Sequence, residues 1–160
     1  MDTAPAPDWQ VERWFNTDRD LSLAALRGKV VVLEAFQMLC PGCVSHGLPQ
    51  ARRVHALFPS EQVAVIGLHT VFEHHAAMTP VALEAFLHEY RIEFPVGVDT
   101  PGDNAPIPLT MHAYGMRGTP TLCLIDARGR LRQHYFGQVE DLALGAQIAA
   151  LVLEAREPPA

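Results

Sequence analysis

The sequence predicts an α/β fold, and three observations predict it. Apolar, β-branched runs such as Val30-Val31-Val32-Leu33 and Val63-Ala64-Val65-Ile66 have the look of buried strands. Between them, Val44, Leu48, Ala51, Val54 and Leu57 recur at helical spacing. Thr79-Pro80 then has the form of a helix start, a capping hydroxyl followed by a proline whose missing N–H is not needed there.

In chain order, residues 1 to 7 are rich in Pro and Ala and are expected to form a loose lead-in. Trp9 to Phe15 fits an edge strand, with Trp9, Trp14 and Phe15 as packing residues. Leu21, Leu23 and Leu26 lead to a turn at Gly28-Lys29 and to a central strand over Val30 to Phe36. The helix after Cys43 ends at the break Phe58-Pro59-Ser60. Val63 to Leu68 forms the next strand, and His69 to His75 a polar loop at its carboxyl end. Val81, Leu83, Phe86, Leu87 and Tyr90 give the following helix an apolar face. Phe94 to Asp99 is a short strand, and the proline-rich Thr100 to Pro108 a surface loop. Met111 to Met116 forms a short helix, and Thr121 to Ile125 a buried strand carrying Cys123 as a core thiol. A turn at Ala127 to Arg130 leads to a strand over Leu131 to Phe136. The last helix spans Val139 to Glu154, with Leu142, Ile148, Ala149 and Val152 facing inward. Residues 156 to 160 are expected to fray.

The 160 residues suggest one domain, 1–160, large enough to build a core. A net charge of −6 with no basic stripe argues against a nucleic-acid partner. No apolar run approaches a membrane span. Three cysteines make no structural disulfide framework. Met1-Asp2-Thr3-Ala4-Pro5 has neither the basic region nor the apolar core of a signal peptide, so a cytoplasmic address is expected, or an extracytoplasmic one if a leader has been removed.

The chemistry concentrates at Cys40-Pro41-Gly42-Cys43, where strand gives way to helix. Cys40 falls near a helix N-terminus, with Cys43 one turn further in. Unpaired N–H groups and the positive end of the dipole stabilise an anion there. A cysteine so placed can fall from a pKa of about 8.5 into roughly 3.5–7.5. Cys40 is therefore expected to be the exposed nucleophile and Cys43 the resolving thiol. Pro41 suits the first turn. His46 continues a Cys-x-x-Cys-x-x-His spacing, but no second ligand pair completes a zinc site, and His69, His74 and His75 fit no rigid metal geometry. Haem attachment needs His directly after the second Cys, where Val44 stands. No metal and no cofactor is expected.

These residues resemble the thioredoxin superfamily, and within it the TlpA/ResA-like thiol-disulfide oxidoreductases, over nearly the whole chain. Ala6-Pro7-Asp8-Trp9 is similar to the family's opening and Leu23 to Val31 to its lead-in. Gly67-Leu68-His69-Thr70 is similar to a run shared among its thioredoxin-like domains. Arg117-Gly118-Thr119-Pro120-Thr121 is similar to the loop that carries its cis-proline, and Leu124 to Leu131 to its strand-turn-strand close. The resemblance implies a thioredoxin-like fold: a central mixed sheet flanked by helices, with an N-terminal extension and a central insertion. It implies that Pro120 is the cis-proline facing the cysteines, with Thr119, Pro41 and Gly42 around the substrate. Glu34 aligns with the family's buried acid, which when desolvated near Cys43 has a raised pKa and can take its proton. The implied partners are a disulfide-containing protein substrate and a thiol electron donor, with the protein acting as a monomer.

Two departures stand out. Leu39 replaces the usual Trp before the first cysteine. The helix proline, normally five residues after the second cysteine, is here Pro49, six after Cys43, with Gly47 just before that site. A peroxidase of the peroxiredoxin kind is the alternative on the same fold. Its Pro-x-x-x-Thr-x-x-Cys pattern is absent, because Leu33 and Gln37 precede Cys40 at those places, and Phe36 and Cys40 precede Cys43. A redox-sensing or metal-binding module is the third reading.

Overall fold

The β-branched run emerges as the centre of the sheet. The computed structural model describes residues 4–159. Six strands pair in the order β1-β4-β3-β2-β5-β6. They are β1 (Val11–Phe15), β2 (Val30–Phe36), β3 (Val63–His69), β4 (Val96–Asp99), β5 (Thr121–Ile125) and β6 (Leu131–Phe136). β2 runs parallel to β3 and antiparallel to β5. Every residue of β2 is buried, which is why its sequence is apolar without alternation, Glu34 excepted.

The helices are α1 (Leu48–Leu57), α2 (Pro80–Glu89), α3 (Leu109–Ala113) and α4 (Asp141–Ala155), with a π-helical turn at Cys43–Gly47 leading into α1. One core joins Val30, Val32 and Phe36 of β2 to Leu48, Ala51 and Val54 of α1, Leu83 and Leu87 of α2, and Leu144, Ile148 and Leu151 of α4. The other face packs Val31, Leu33 and Ala35 with Met111 of α3 and Tyr114. The cap on α2 forms as its residues dictate: Thr79 Oγ1 accepts the Ala82 N–H at 3.2 Å. The Asp99 carboxylate accepts the Thr110 and Met111 N–H groups, both at 2.9 Å, and so caps α3. Arg132 on β6 bridges to Glu154 on α4 at 2.6 Å and to Asp126 at 3.2 Å.

Four expectations need correction. Of the lead-in expected to be loose, residues 1–3 lie outside the described residues, but Ala4 to Pro7 is docked. The Leu131 N–H donates to Ala4 O and the Ala6 N–H to Gly129 O, both at 2.9 Å, and Pro5 bridges to Arg130. Tyr114 donates to Pro7 O at 2.7 Å. Proline leaves carbonyls free to accept, so a Pro-rich run can be held without being a full strand. In α4, Leu142 is 91% exposed and Ala149 points outward; Leu144 and Leu151 face the core instead. The helix is apolar nearly all round, so its sequence does not fix its phase. Val81 of α2 is likewise exposed, and so is Tyr90 at its end, where the ring stacks on Phe86 at 4.3 Å. Leu57, the last apolar position of α1, also faces outward.

Candidate active site

The strand-to-helix junction holds the two cysteines. Residues 41–42 open a helical turn and Cys43–Gly47 continue it with π geometry. Cys40 and Cys43 are joined as a disulfide, with Cα atoms 5.2 Å apart. Cys40 is 8% exposed and Cys43 is fully buried, so Cys40 is the sulfur a second molecule reaches. The Cys43 N–H donates to Cys40 Sγ at 3.2 Å. The same N–H also donates to Cys40 O at 3.1 Å, so this first-turn donor is shared between the carbonyl and the sulfur that carries charge as a thiolate.

Across from the pair lies the loop before β5. Its Thr119–Pro120 bond is cis. The Thr119 carbonyl oxygen is 3.5 Å from Cys40 Sγ. A side chain at Gly42 would stand 3.3 Å from Pro120 Cδ, so this glycine lets the helix start lie against the proline. Pro41 is exposed, and Leu39, also exposed, sits where the resembled family has Trp.

Glu34 lies beneath this layer. It shares a strand face with Val32 and Phe36, on the side that holds both cysteines. It is 1% exposed, and its Oε1 has no hydrogen-bond partner. Burial pushes its carboxyl up to about 8. Gly47 packs directly over it: a Cβ at Gly47 would overlap Glu34 Oε1. Burial also pushes the Cys123 thiol up to about 12, with the field of Glu34 adding to it.

The structure brings Cys40, Cys43, Glu34, Gly42, Thr119 and Pro120 together around one point, with Pro41 on its surface. His69 departs from expectation. It is 1% exposed, its Nε2 accepts the Met38 N–H at 3.3 Å, and its ring lies 5.1 Å from Phe36. Burial lowers its pKa to about 4, so it is neutral at pH 7. It holds the chain entering Cys40 from below, and the polar rim is left to Glu73, His74 and His75. His46 sits with Nε2 3.1 Å from Val139 O. Among the described residues no group of His, Cys, Asp or Glu is arranged to hold a metal ion.

Gln37 is a site residue that the sequence does not single out for a role. Its Oε1 accepts the Phe72 N–H at 3.2 Å and its Nε2 faces Glu73, tying the loop before Cys40 to the loop after β3. A polar residue directly after a buried strand that is apolar apart from Glu34 is the one signal for it. In the sequence, Gly47 stands out only as a neighbour of the displaced proline. The π turn explains that displacement: the Leu48 N–H donates five residues back, to Cys43 O. A π turn absorbs one extra residue, so Pro49 lies six after Cys43 without shifting the buried face of α1.

Residues 3–134 match the model of the AhpC/TSA family. The chain belongs to that family. A crystal structure of a thioredoxin-like superfamily protein superimposes on it with a TM-score of 0.93 at 62% identity, over 98% of this chain and 99% of that one. A thiol-disulfide isomerase from Corynebacterium glutamicum superimposes with a TM-score of 0.90 at 52% identity, over 93% and 96%. The thiol-disulfide oxidoreductase ResA of Bacillus thuringiensis is 26% identical over 120 residues, 75% of this chain and 62% of that protein. Protein DipZ of Mycobacterium bovis is 29% identical over 136 residues, 83% of this chain and 18% of that protein. The chain thus spans less than two thirds of these two curated relatives. The fold of this AhpC/TSA member is thioredoxin-like, a mixed sheet with helices on both faces.

Proposed function

We propose that the protein is a thiol-disulfide oxidoreductase that exchanges disulfides with protein substrates through Cys40 and Cys43. The observation that carries this reading is one reachable sulfur over one fully buried sulfur at a helix start. Relatives named as thiol-disulfide isomerase and oxidoreductase support it.

The Cys40 thiolate attacks a substrate disulfide. One sulfur of that disulfide leaves as a thiolate and takes a proton, and the other is held as a mixed disulfide on Cys40. Cys43 gives its proton to the Glu34 carboxylate and attacks Cys40 Sγ. The Cys40–substrate bond breaks and the second substrate thiolate leaves. Two electrons have passed to the substrate, and Cys40–Cys43 is oxidised. A thiol donor reverses the oxidation for the next round. A carboxyl with a pKa near 8 suits this role, because proton transfer is most effective when that value lies near the working pH. The Thr119 carbonyl and Pro120, with Gly42 packed against the proline and Pro41 exposed beside it, form the surface over which an extended substrate segment lies. Residues 4–159 form this one unit, acting as a monomer. Among the described residues, no helix is long and apolar enough to cross a membrane. A reducing compartment runs the cycle as written, and an oxidising one runs it backwards.

The test is a single-turnover comparison. Reduced protein is mixed with a protein disulfide and, separately, with hydrogen peroxide, and formation of Cys40–Cys43 is timed. Fast oxidation by the disulfide and slow oxidation by peroxide is the expected result. The reverse order replaces this reading with the peroxidase.

A further inference from the structure

Glycine at position 47 has a physical reason that neither its backbone nor the helix supplies. Gly47 is buried, and its φ of −60° is ordinary helix, open to any residue. Helix propensity disfavours glycine there by roughly 1 kcal/mol against alanine. What demands glycine lies across the gap. A Cβ at Gly47 would overlap Glu34 Oε1, come within 3.3 Å of Glu34 Cδ and stand 3.1 Å from Pro120 Cβ. Real packing does not tolerate the first of these contacts, so the carboxyl or the helix would have to move.

The π turn determines which residue meets the acid. Cys43 and Gly47 are its first and last residues, and both are buried. Residues four apart on a helix share a face. One turn thus presents a sulfur at one end and a bare Cα at the other, with the carboxyl lodged under the bare end. We infer that Gly47 is a positioning residue for disulfide exchange: by lacking a side chain it leaves the space in which the Glu34 carboxyl sits beside the turn that carries Cys43. The inference rests on the exchange function proposed above.

The titratable groups facing Glu34 are few. Cys43 comes from the π turn; the register partners of Glu34 are Leu122 on β5 and Gly67 on β3, and Cys123, next to Leu122, lies on the other face of the sheet with Leu33, where it feels only the field of the acid. Cys123, held protonated by burial, carries no charge near neutral pH. A displaced Glu34 would therefore be felt chiefly at Cys43, in the second step of exchange, and little at Cys40.

The experiment measures both steps by stopped flow, from pH 5 to 9, with a disulfide-bonded peptide. Gly47→Ala is expected to slow resolution of the mixed disulfide by about ten- to a hundred-fold and to move the inflection of its pH profile. Formation of the mixed disulfide should be nearly unchanged. Glu34→Asp, whose carboxyl is withdrawn by about 1.5 Å, should restore much of the loss in the Gly47→Ala background. Glu34→Gln with Gly47→Ala should be no slower than Glu34→Gln alone. Equal slowing of both steps, or an unmoved pH profile while the wild type exchanges disulfides normally, overturns the inference and leaves the function standing. A wild type that exchanges no disulfide overturns the function, and the inference with it. Should Gly47→Ala not fold, Gly47→Ala/Glu34→Ala is melted beside Glu34→Ala. Equal midpoints support the inference, and a lower midpoint for the double variant assigns Gly47 to packing alone and overturns it.

Discussion

Replacing Glu34 with Gln tests the site through stability, independently of any substrate. Glu34 is buried on β2 with Oε1 unpartnered, and its carboxyl titrates near 8 instead of near 4.5. The folded protein therefore holds a proton that the unfolded chain releases. The stabilisation this gives is fully present below pH 4.5 and is lost as pH rises through 8. Between those values the two states differ by about one proton, so the slope approaches about 1.4 kcal/mol per pH unit. Over the whole window the loss reaches at most roughly 5 kcal/mol, since water or a small rearrangement can reach the charged form. His69 acts in the opposite sense. Its folded value of about 4 lies below the usual 6.5, so its contribution is lost as pH falls through that interval. The two slopes nearly cancel below pH 6.5, and the wild type should show its steepest decline between pH 6.5 and 8. Urea denaturation of the oxidised protein at half-unit steps from pH 5 to 9 measures this, with Glu34→Gln in parallel. The variant keeps the His69 slope and loses the Glu34 slope, so subtraction isolates the acid. A difference between the two proteins that stays constant from pH 5 to 8 would refute the reasoning.

Cys43→Ser should accumulate a mixed disulfide through Cys40, seen as a shifted band on a non-reducing gel; no adduct would reverse the assigned roles. His69→Ala leaves the Met38 N–H unpaired in a buried place and should cost about 1–3 kcal/mol in urea denaturation. Thr79→Ala removes the cap on α2, with an expected cost of about 1 kcal/mol. In α4, Leu144→Ala should cost about 2–5 kcal/mol and Leu142→Ala less than about 0.5, two outcomes that thermal melts tell apart.

The sequence made the strand-helix junction legible because its signals are local. A β-branched run, a C-x-x-C spacing and a Thr-Pro cap each fix their own neighbourhood, and β2, the cysteine turn and α2 formed where those signals stood. Glu34 was readable as an acid inside an apolar run. What stayed hidden depends on other parts of the chain. The inward face of α4 follows from its docking on β2, and an all-apolar helix carries no phase of its own. His69 read as part of a polar loop because its partner, the Met38 N–H, lies 31 residues away and is a main-chain group. The π turn left a trace in the one-residue displacement of Pro49, and Gly47 acquired meaning only once Glu34 was seen opposite it.

Residues 4 to 15 reach both borders of the sheet. Ala4 to Ala6 pair beside β6, while Val11 to Phe15 form β1 against β4 at the other side. Between them Ala6 and Trp9 press on the apolar face, and Trp9 donates to the Tyr114 hydroxyl at 3.0 Å. The sheet is thus belted by its own chain. Neither border strand can peel away alone without loosening the strap that holds its counterpart. Opening at one margin thus disturbs a segment that also holds the other, and the exchange chemistry, which needs Cys40 and Thr119 kept in register while partners come and go, works on a platform tied at both margins.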